Sequence, residues 1–126
     1  KGFWTLPAGY LEQNETTADG AIREAYEEAT AEIHIRDLLA VYSVTHISQV
    51  QIMYRSILKE PEFSAGPESL EVELFDWAEI PWNDLAFPTV YWALHQYQEI
   101  KDRESFTPFS NAVGDMLEKS LEIIRR

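Results

Sequence analysis

The sequence predicts an α/β fold, a sandwich in which helices cover a mixed sheet. Three observations carry that expectation. Residues 16–31 place alanines and long side chains behind Thr16, Thr17 and Asp19, the pattern of a capped helix. Val50 to Leu58 and Leu70 to Trp77 alternate their side chains with the two-residue period of strands. Pro88 opens a second stretch with helical spacing.

Taken in order, Phe3-Trp4-Thr5-Leu6 reads as a short strand, ended by Pro7-Ala8-Gly9. Gly9 there permits a backbone conformation that other residues resist. On the first helix, about 100° per residue gathers Ile22, Ala25, Tyr26, Ala29 and Ile33 on one side, facing the core. Glu24, Glu27 and Glu28 gather on the opposite side, because spacings of three and four share a face. Ile33 to Ile35 begins an extended segment, followed by strands over Leu38–Ile47 and Val50–Leu58. The short Ser48-Gln49 link predicts an antiparallel hairpin. Lys59 to Ser69, with Pro61, Gly66 and Pro67, reads as a loop, and Leu70–Trp77 as a further strand. Residues 79–85 form a turn or short helix. From Pro88 to about Asp102, Val90, Tyr91, Leu94, Tyr97 and Gln98 follow helical spacing. Residues 104–110 read as a polar linker, and Asn111 to Arg126 as a last amphipathic helix.

With 126 residues and 45% hydrophobic side chains, the chain suits one domain, 1–126, around one core. No apolar run reaches the length of a membrane span, and no signal-peptide pattern opens the chain. The absence of cysteine excludes disulfides and thiolate metal sites in this chain and is compatible with a cytoplasmic location. A net charge of −12 argues against a nucleic-acid partner, which needs clustered Lys and Arg. So acidic a protein would also repel a diphosphate unless cations stand between them.

Like charges on one helix face repel by a few tenths of a kcal/mol per pair, and a divalent cation reverses that sign. The acidic face is otherwise a solvated surface. Its longer spacing is more specific: Gly9, five residues, Glu15, seven residues, Arg23-Glu24, two residues, Glu27-Glu28, with Ala25 and Ala31 at small apolar positions. This resembles the Nudix box, in register at all six polar or glycine positions named. Thr30 departs from it, standing where the family usually has glycine near the helix end. Phe63 to Glu71, Glu79-Ile80-Pro81-Trp82 and Leu85-Ala86-Phe87-Pro88 resemble the branch acting on ADP-ribose, FAD and related dinucleotides. The resemblance spans about the first hundred residues. Many members of that branch carry an N-terminal zinc ribbon, which would lie outside this cysteine-free chain. The start at Lys1-Gly2-Phe3 leads us to expect a missing, cleaved or replaced N-terminal strand or ribbon.

The resemblance implies a Nudix-type α/β/α sandwich and a hydrolase that cleaves a phosphoanhydride in a nucleoside diphosphate linked to another group, ADP-ribose or FAD first. It implies Mg²⁺, with Mn²⁺ as a substitute. Its metal ligands would be Glu24, Glu28, the Ala8 carbonyl and Glu27, the last a ligand or a base. Arg23, grouped with the catalytic residues, and Glu15 would hold the carboxylates in place, beside Gly9. A further base is sought at Glu71 or Glu68, both also readable as exposed strand residues. Trp4, Tyr10 and Phe87 are stacking candidates for a nucleobase, with Phe3 beside them; each could equally belong to the core. Lys1 and Arg55 are phosphate contacts or solvated charges. His34, His46 and His95 lack metal-ligand spacing. A homodimer is implied by the family, with Trp77, Trp82, Tyr91 and Trp92 as interface or core. The alternatives are hydrolysis of modified nucleoside triphosphates and a non-catalytic nucleotide-binding module.

Overall fold

The computed structural model describes residues 2–67, 69 and 71–112. Lys1, Glu68 and the helix expected beyond residue 112 lie outside them. Helix α1, Thr17–Ala29, starts where Thr16 is extended and its hydroxyl accepts from the Asp19 N–H, with the Asp19 carboxylate favourably placed in the first turn. Its buried side is made of Gly20, Ala25 and Ala29. Ile22 and Tyr26, expected in the core, are exposed. Only small residues leave room for the helix to lie close against the 10–15 loop and the sheet.

Strand β1, Ile33–Val44, merges the two segments expected separately; register shifts at Ile35/Asp37 and Leu38/Ala40 kink it into one continuous strand. Strand β2, Gln49–Leu58, pairs with it antiparallel through a turn at Thr45–Ile47 and a left-handed Ser48, as the short link predicts. The pairs Asp37–Arg55, Ala40–Met53 and Tyr42–Gln51 share one face, which meets helix α2, Pro88–Ile100. The Leu38–Tyr54 pair lies on the other face, where the Tyr54 hydroxyl meets Thr17 of α1. Two helices thus cover opposite faces of the sheet. Val50 lies beyond the reach of α1 and is 65% exposed, so the apolar alternation of β2 does not mark its core side.

Among the described residues the sheet is the two-stranded antiparallel β1–β2 pair. Outside it, Trp4 bridges Leu85 and Ala40 bridges Phe109 as isolated parallel bridges. Phe3–Leu6 therefore forms a single bridge, secured by the bonds Trp4 N–H to Asp84 and Ala86 N–H to Trp4, and no longer strand. The expected linker at 104–110 is docked: Phe109 exchanges backbone bonds with Leu39 and Val41, and Asn111 bonds both backbone groups of Ser43. The strand expected over Leu70–Trp77 does not form in its described part. Residues 71–75 make no backbone hydrogen bond to described residues, and Trp77–Glu79 turns into a 3-10 helix. Alternation supplies two faces, but a strand also needs a paired edge.

The core joins Leu39, Ala40, Tyr42 and Leu85 to Val90–Ala93, Ile100 and Ala112. Pro88 begins α2, as expected, but Tyr97 of the expected stripe is exposed, and Thr89, Trp92, Ala93, Gln96 and Ile100 form the inner side. Tyr91 and Trp92 are core residues; Trp82 packs edge-on against Tyr91, and Trp77 edge-on against Trp82 and His95. Arg55 is neither a phosphate contact nor a surface charge. It is buried, paired with Asp37 at 2.6 Å, bonded to the carbonyls of Ile100, Arg103 and Glu104, and placed over the Phe106 ring.

Tyr42, fully buried, donates its hydroxyl to Gln96, whose amide N–H₂ donates to the Ser110 carbonyl. This chain joins β1, α2 and the docked segment. Tyr42→Phe leaves the Gln96 oxygen buried without a donor and is expected to cost about 1–3 kcal/mol. Urea denaturation checks this as a lower midpoint at unchanged slope.

Candidate active site

Two carboxylates of α1, Glu24 and Glu28, are partly covered. The turn Pro7-Ala8-Gly9 lies across them, and the Ala8 N–H donates to Glu28 Oε1 at 3.1 Å. Gly9 is required by that close approach: a Cβ built on it would lie 1.9 Å from Glu24 Oε2. Its φ is outside the left-handed region, so contact and not backbone freedom explains the glycine. Glu28 lies near enough to Glu24 for the two carboxylates to act on each other's charge. Burial, then the neighbouring Glu24 and Glu27, push the Glu28 carboxyl up to about 7, against the pull of the Ala8 N–H.

Arg23 organises the next layer. Its guanidinium reaches Glu15 at 2.7 Å, Glu24 and Glu27 at 3.1 Å, and Glu12 at 3.6 Å, and donates to the Tyr10 carbonyl. The loop turns back through Asn14 in a left-handed conformation, which Asn tolerates, so that Glu15 meets Arg23 and accepts from the Glu12 N–H. The Arg23 hydrogen bond, helped by that N–H, holds the Glu15 carboxyl below the usual range. Glu15 in turn raises the Arg23 pKa still further. Glu27 is the most open of the three box carboxylates, 53% exposed at its side chain.

The far end of α1 is closed by the loop after β2. Thr30 takes the left-handed conformation, φ 52, that a glycine adopts freely, and its hydroxyl accepts from the Ser64 hydroxyl. Gly66 N–H and Ser69 Oγ both donate to the Glu28 carbonyl, and Ser64 N–H to that of Ala29. These contacts had no signal in the sequence beyond the turn residues Gly66-Pro67. The Glu12 pairing with Arg23 had none at all.

Beyond Glu28 opens a cleft of about 740 Å³ between residues 2–7 and 71–75. Trp4, Glu71 and Glu73 line it together with Glu28. Tyr10 and Phe87 do not: Tyr10 is 78% exposed, its hydroxyl accepting from Gln49, and Phe87 is 57% exposed ahead of α2. Trp4 itself packs edge-on against Phe75.

Glu24 and Glu28, with Glu27 on the same helix face, are oxygen donors of the kind a hard divalent cation takes. Among the described residues no group of three or more His, Cys, Asp or Glu side chains is arranged to hold a metal ion. Mg²⁺ characteristically takes only a few carboxylates and completes its shell with water and substrate phosphate.

The NUDIX domain family model matches residues 1–99. The chain belongs to the Nudix family. It is similar to a Nudix hydrolase of Nitrosomonas europaea known from a crystal structure, at 48% identity and a TM-score of 0.80, covering 88% of this chain and 64% of that one. It is 31% identical over 87 residues to an ADP-ribose pyrophosphatase of Methanocaldococcus jannaschii, covering 64% of this chain and 50% of the relative. A MutT-like protein of Streptomyces ambofaciens is 37% identical over 54 residues, 43% of this chain and 35% of that protein. The chain thus spans half or less of the curated relatives it matches. Among the described residues no helix is long and apolar enough to cross a membrane.

Arg23 makes several directed contacts that an ammonium cannot reproduce. Arg23→Lys is expected to keep the fold while speeding amide exchange in residues 10–15 by about ten-fold, with the β1–β2 hairpin unchanged. Hydrogen-exchange mass spectrometry reads both.

Proposed function

We propose that this Nudix domain is a hydrolase that cleaves the phosphoanhydride of a nucleoside diphosphate linked to a second group, with ADP-ribose or FAD-type dinucleotides as its substrate class. The observation that carries this reading is the Glu24–Glu28 pair beneath the Pro7–Gly9 turn. The similarity to an ADP-ribose pyrophosphatase supports the substrate class.

Glu24 and Glu28, with the Ala8 carbonyl and Glu27, would hold Mg²⁺, or Mn²⁺ in its place. Such an ion, when bound, neutralises phosphate oxygens and lowers the pKa of water. The chain's own groups do the rest. Arg23 and Glu15 fix the carboxylates, so no reorganisation is needed when a diphosphate arrives. Glu27, or Glu71 from across the cleft, accepts the proton of the attacking water as its oxygen bonds to phosphorus and the bridging P–O bond breaks. Trp4 borders the cleft and is the better stacking surface for a base; Tyr10 and Phe87 contribute only if substrate extends past the cleft. The similarity to a MutT-like protein favours, as second reading, the cleavage of modified nucleoside triphosphates. A homodimer belongs to the same reading. Sedimentation showing only monomer at tens of micromolar removes that part.

Glu28→Gln is expected to lower kcat by about 10²- to 10³-fold in saturating Mg²⁺. Gly9→Ala should act in the same direction by displacing Glu24. Unchanged turnover in both variants would overturn the catalytic assignment. Product analysis on ADP-ribose, FAD and nucleoside triphosphates separates the two readings: a nucleoside monophosphate with a phosphorylated partner against a monophosphate with pyrophosphate.

A further inference from the structure

The last turn of α1 carries Glu27 and Glu28; the local turn at Thr30 takes up the Ala25 and Tyr26 carbonyls, while those of Glu28 and Ala29 have no partner within the helix. In most helices water or a local glycine turn satisfies such groups. Here the 64–69 loop does so from far along the chain. Ser64 N–H donates to Ala29 O at 2.8 Å, Gly66 N–H to Glu28 O at 3.0 Å, and Ser69 Oγ to Glu28 O at 2.8 Å. Gly66 lies so close that a Cβ on it would stand 1.8 Å from the Glu27 carbonyl oxygen, a backbone atom with little freedom to yield. Glu28 is therefore held at both ends, its carboxylate by Ala8 and its carbonyl by the loop. The same loop leads within two residues to Glu71, which shares the cleft wall with Glu28.

We propose that Gly66 and Ser69 are positioning residues, a clamp on the Glu28 carbonyl that sets where the α1 carboxylates meet a divalent cation. This rests on the metal-dependent reading above. A simple end cap would contribute stability alone; a clamp also sets metal affinity, because a ligand's outer contacts fix its direction.

The test uses Mn²⁺ as probe, with free Mn²⁺ followed by electron paramagnetic resonance without substrate, alongside kinetics. Gly66→Ala is expected to weaken Mn²⁺ binding by ten-fold or more, and Ser69→Ala by about ten-fold, the range seen when outer contacts of metal ligands are lost. Ser69→Thr, which keeps the hydroxyl, should restore near-native binding. Circular dichroism and cooperative unfolding confirm that the compared variants are folded; should Gly66→Ala not fold, the Ser69 pair decides. If the wild type takes up Mn²⁺ and Ser69→Ala binds it equally well, the clamp is refuted while the metal reading stands. If the wild type takes up none, the metal reading fails and the clamp with it.

Discussion

The rest of this structure depends on the mutual repulsion of carboxylates crowded on one helix. Glu24, Glu27 and Glu28 share a face, and Glu15 is brought to the same place by a loop. Left to itself, that charge would splay the side chains into water, where dielectric screening makes it cheap. The fold does the opposite. It lays Pro7–Gly9 over Glu24 and Glu28 and sets one guanidinium among the remaining oxygens. Burial first, and then the neighbouring Glu24 and Glu27, raise the Glu28 carboxyl. Preorganisation here means that the unfavourable electrostatics are borne in advance by packing elsewhere.

That packing is concentrated on the other face of the sheet. Tyr42, Arg55 and Gln96 tie β1 and β2 to α2 and to the docked 106–112 segment, so the sheet is rigid where α1 needs a floor. The α1 side is thinner: Gly20, Ala25 and Ala29 bring the helix close but bury little area. The helix is accordingly fastened at its ends by hydrogen bonds, at Thr16 and at the 64–69 loop, in place of a broad apolar stripe.

What the sequence made legible follows from this division. The box spacing is local, so helix α1, the Arg23–Glu15 contact and the Pro7–Gly9 turn could be placed from residue order alone. The hairpin was also legible, since a short link leaves little choice of partner. What failed were inferences from period alone. Ile22 and Tyr26 keep helical spacing with Ala25 but lie outside, because the small residues set the contact face. Val50 and Ile52 alternate correctly with Tyr54 on the α1 face yet remain exposed there. Arg55 was invisible as a core residue because its partners, Asp37 and three carbonyls beyond α2, lie far along the chain. The 71–75 segment has strand alternation without the paired edge that would make it one. Long-range partners decide each of these cases, and no local pattern encodes them.

Thr30 shows how such long-range contacts substitute for a local rule. A β-branched residue at φ 52 carries a strain on the order of 1–2 kcal/mol, which glycine would avoid. If the helix ended by its own sequence, that strain would favour unwinding the last turn and with it Glu27 and Glu28. The local turn holds because it is backed from outside: the Thr30 N–H closes on Tyr26 and the Ala31 N–H on Ala25, while the Thr30 hydroxyl meets Ser64 and the Glu28 and Ala29 carbonyls are taken by Ser64, Gly66 and Ser69. The loop fixes the turn from outside, and the residue at the corner is then free to be something other than glycine. The box's departure from its usual pattern and the tight docking of the 64–69 loop are on this account two sides of one arrangement.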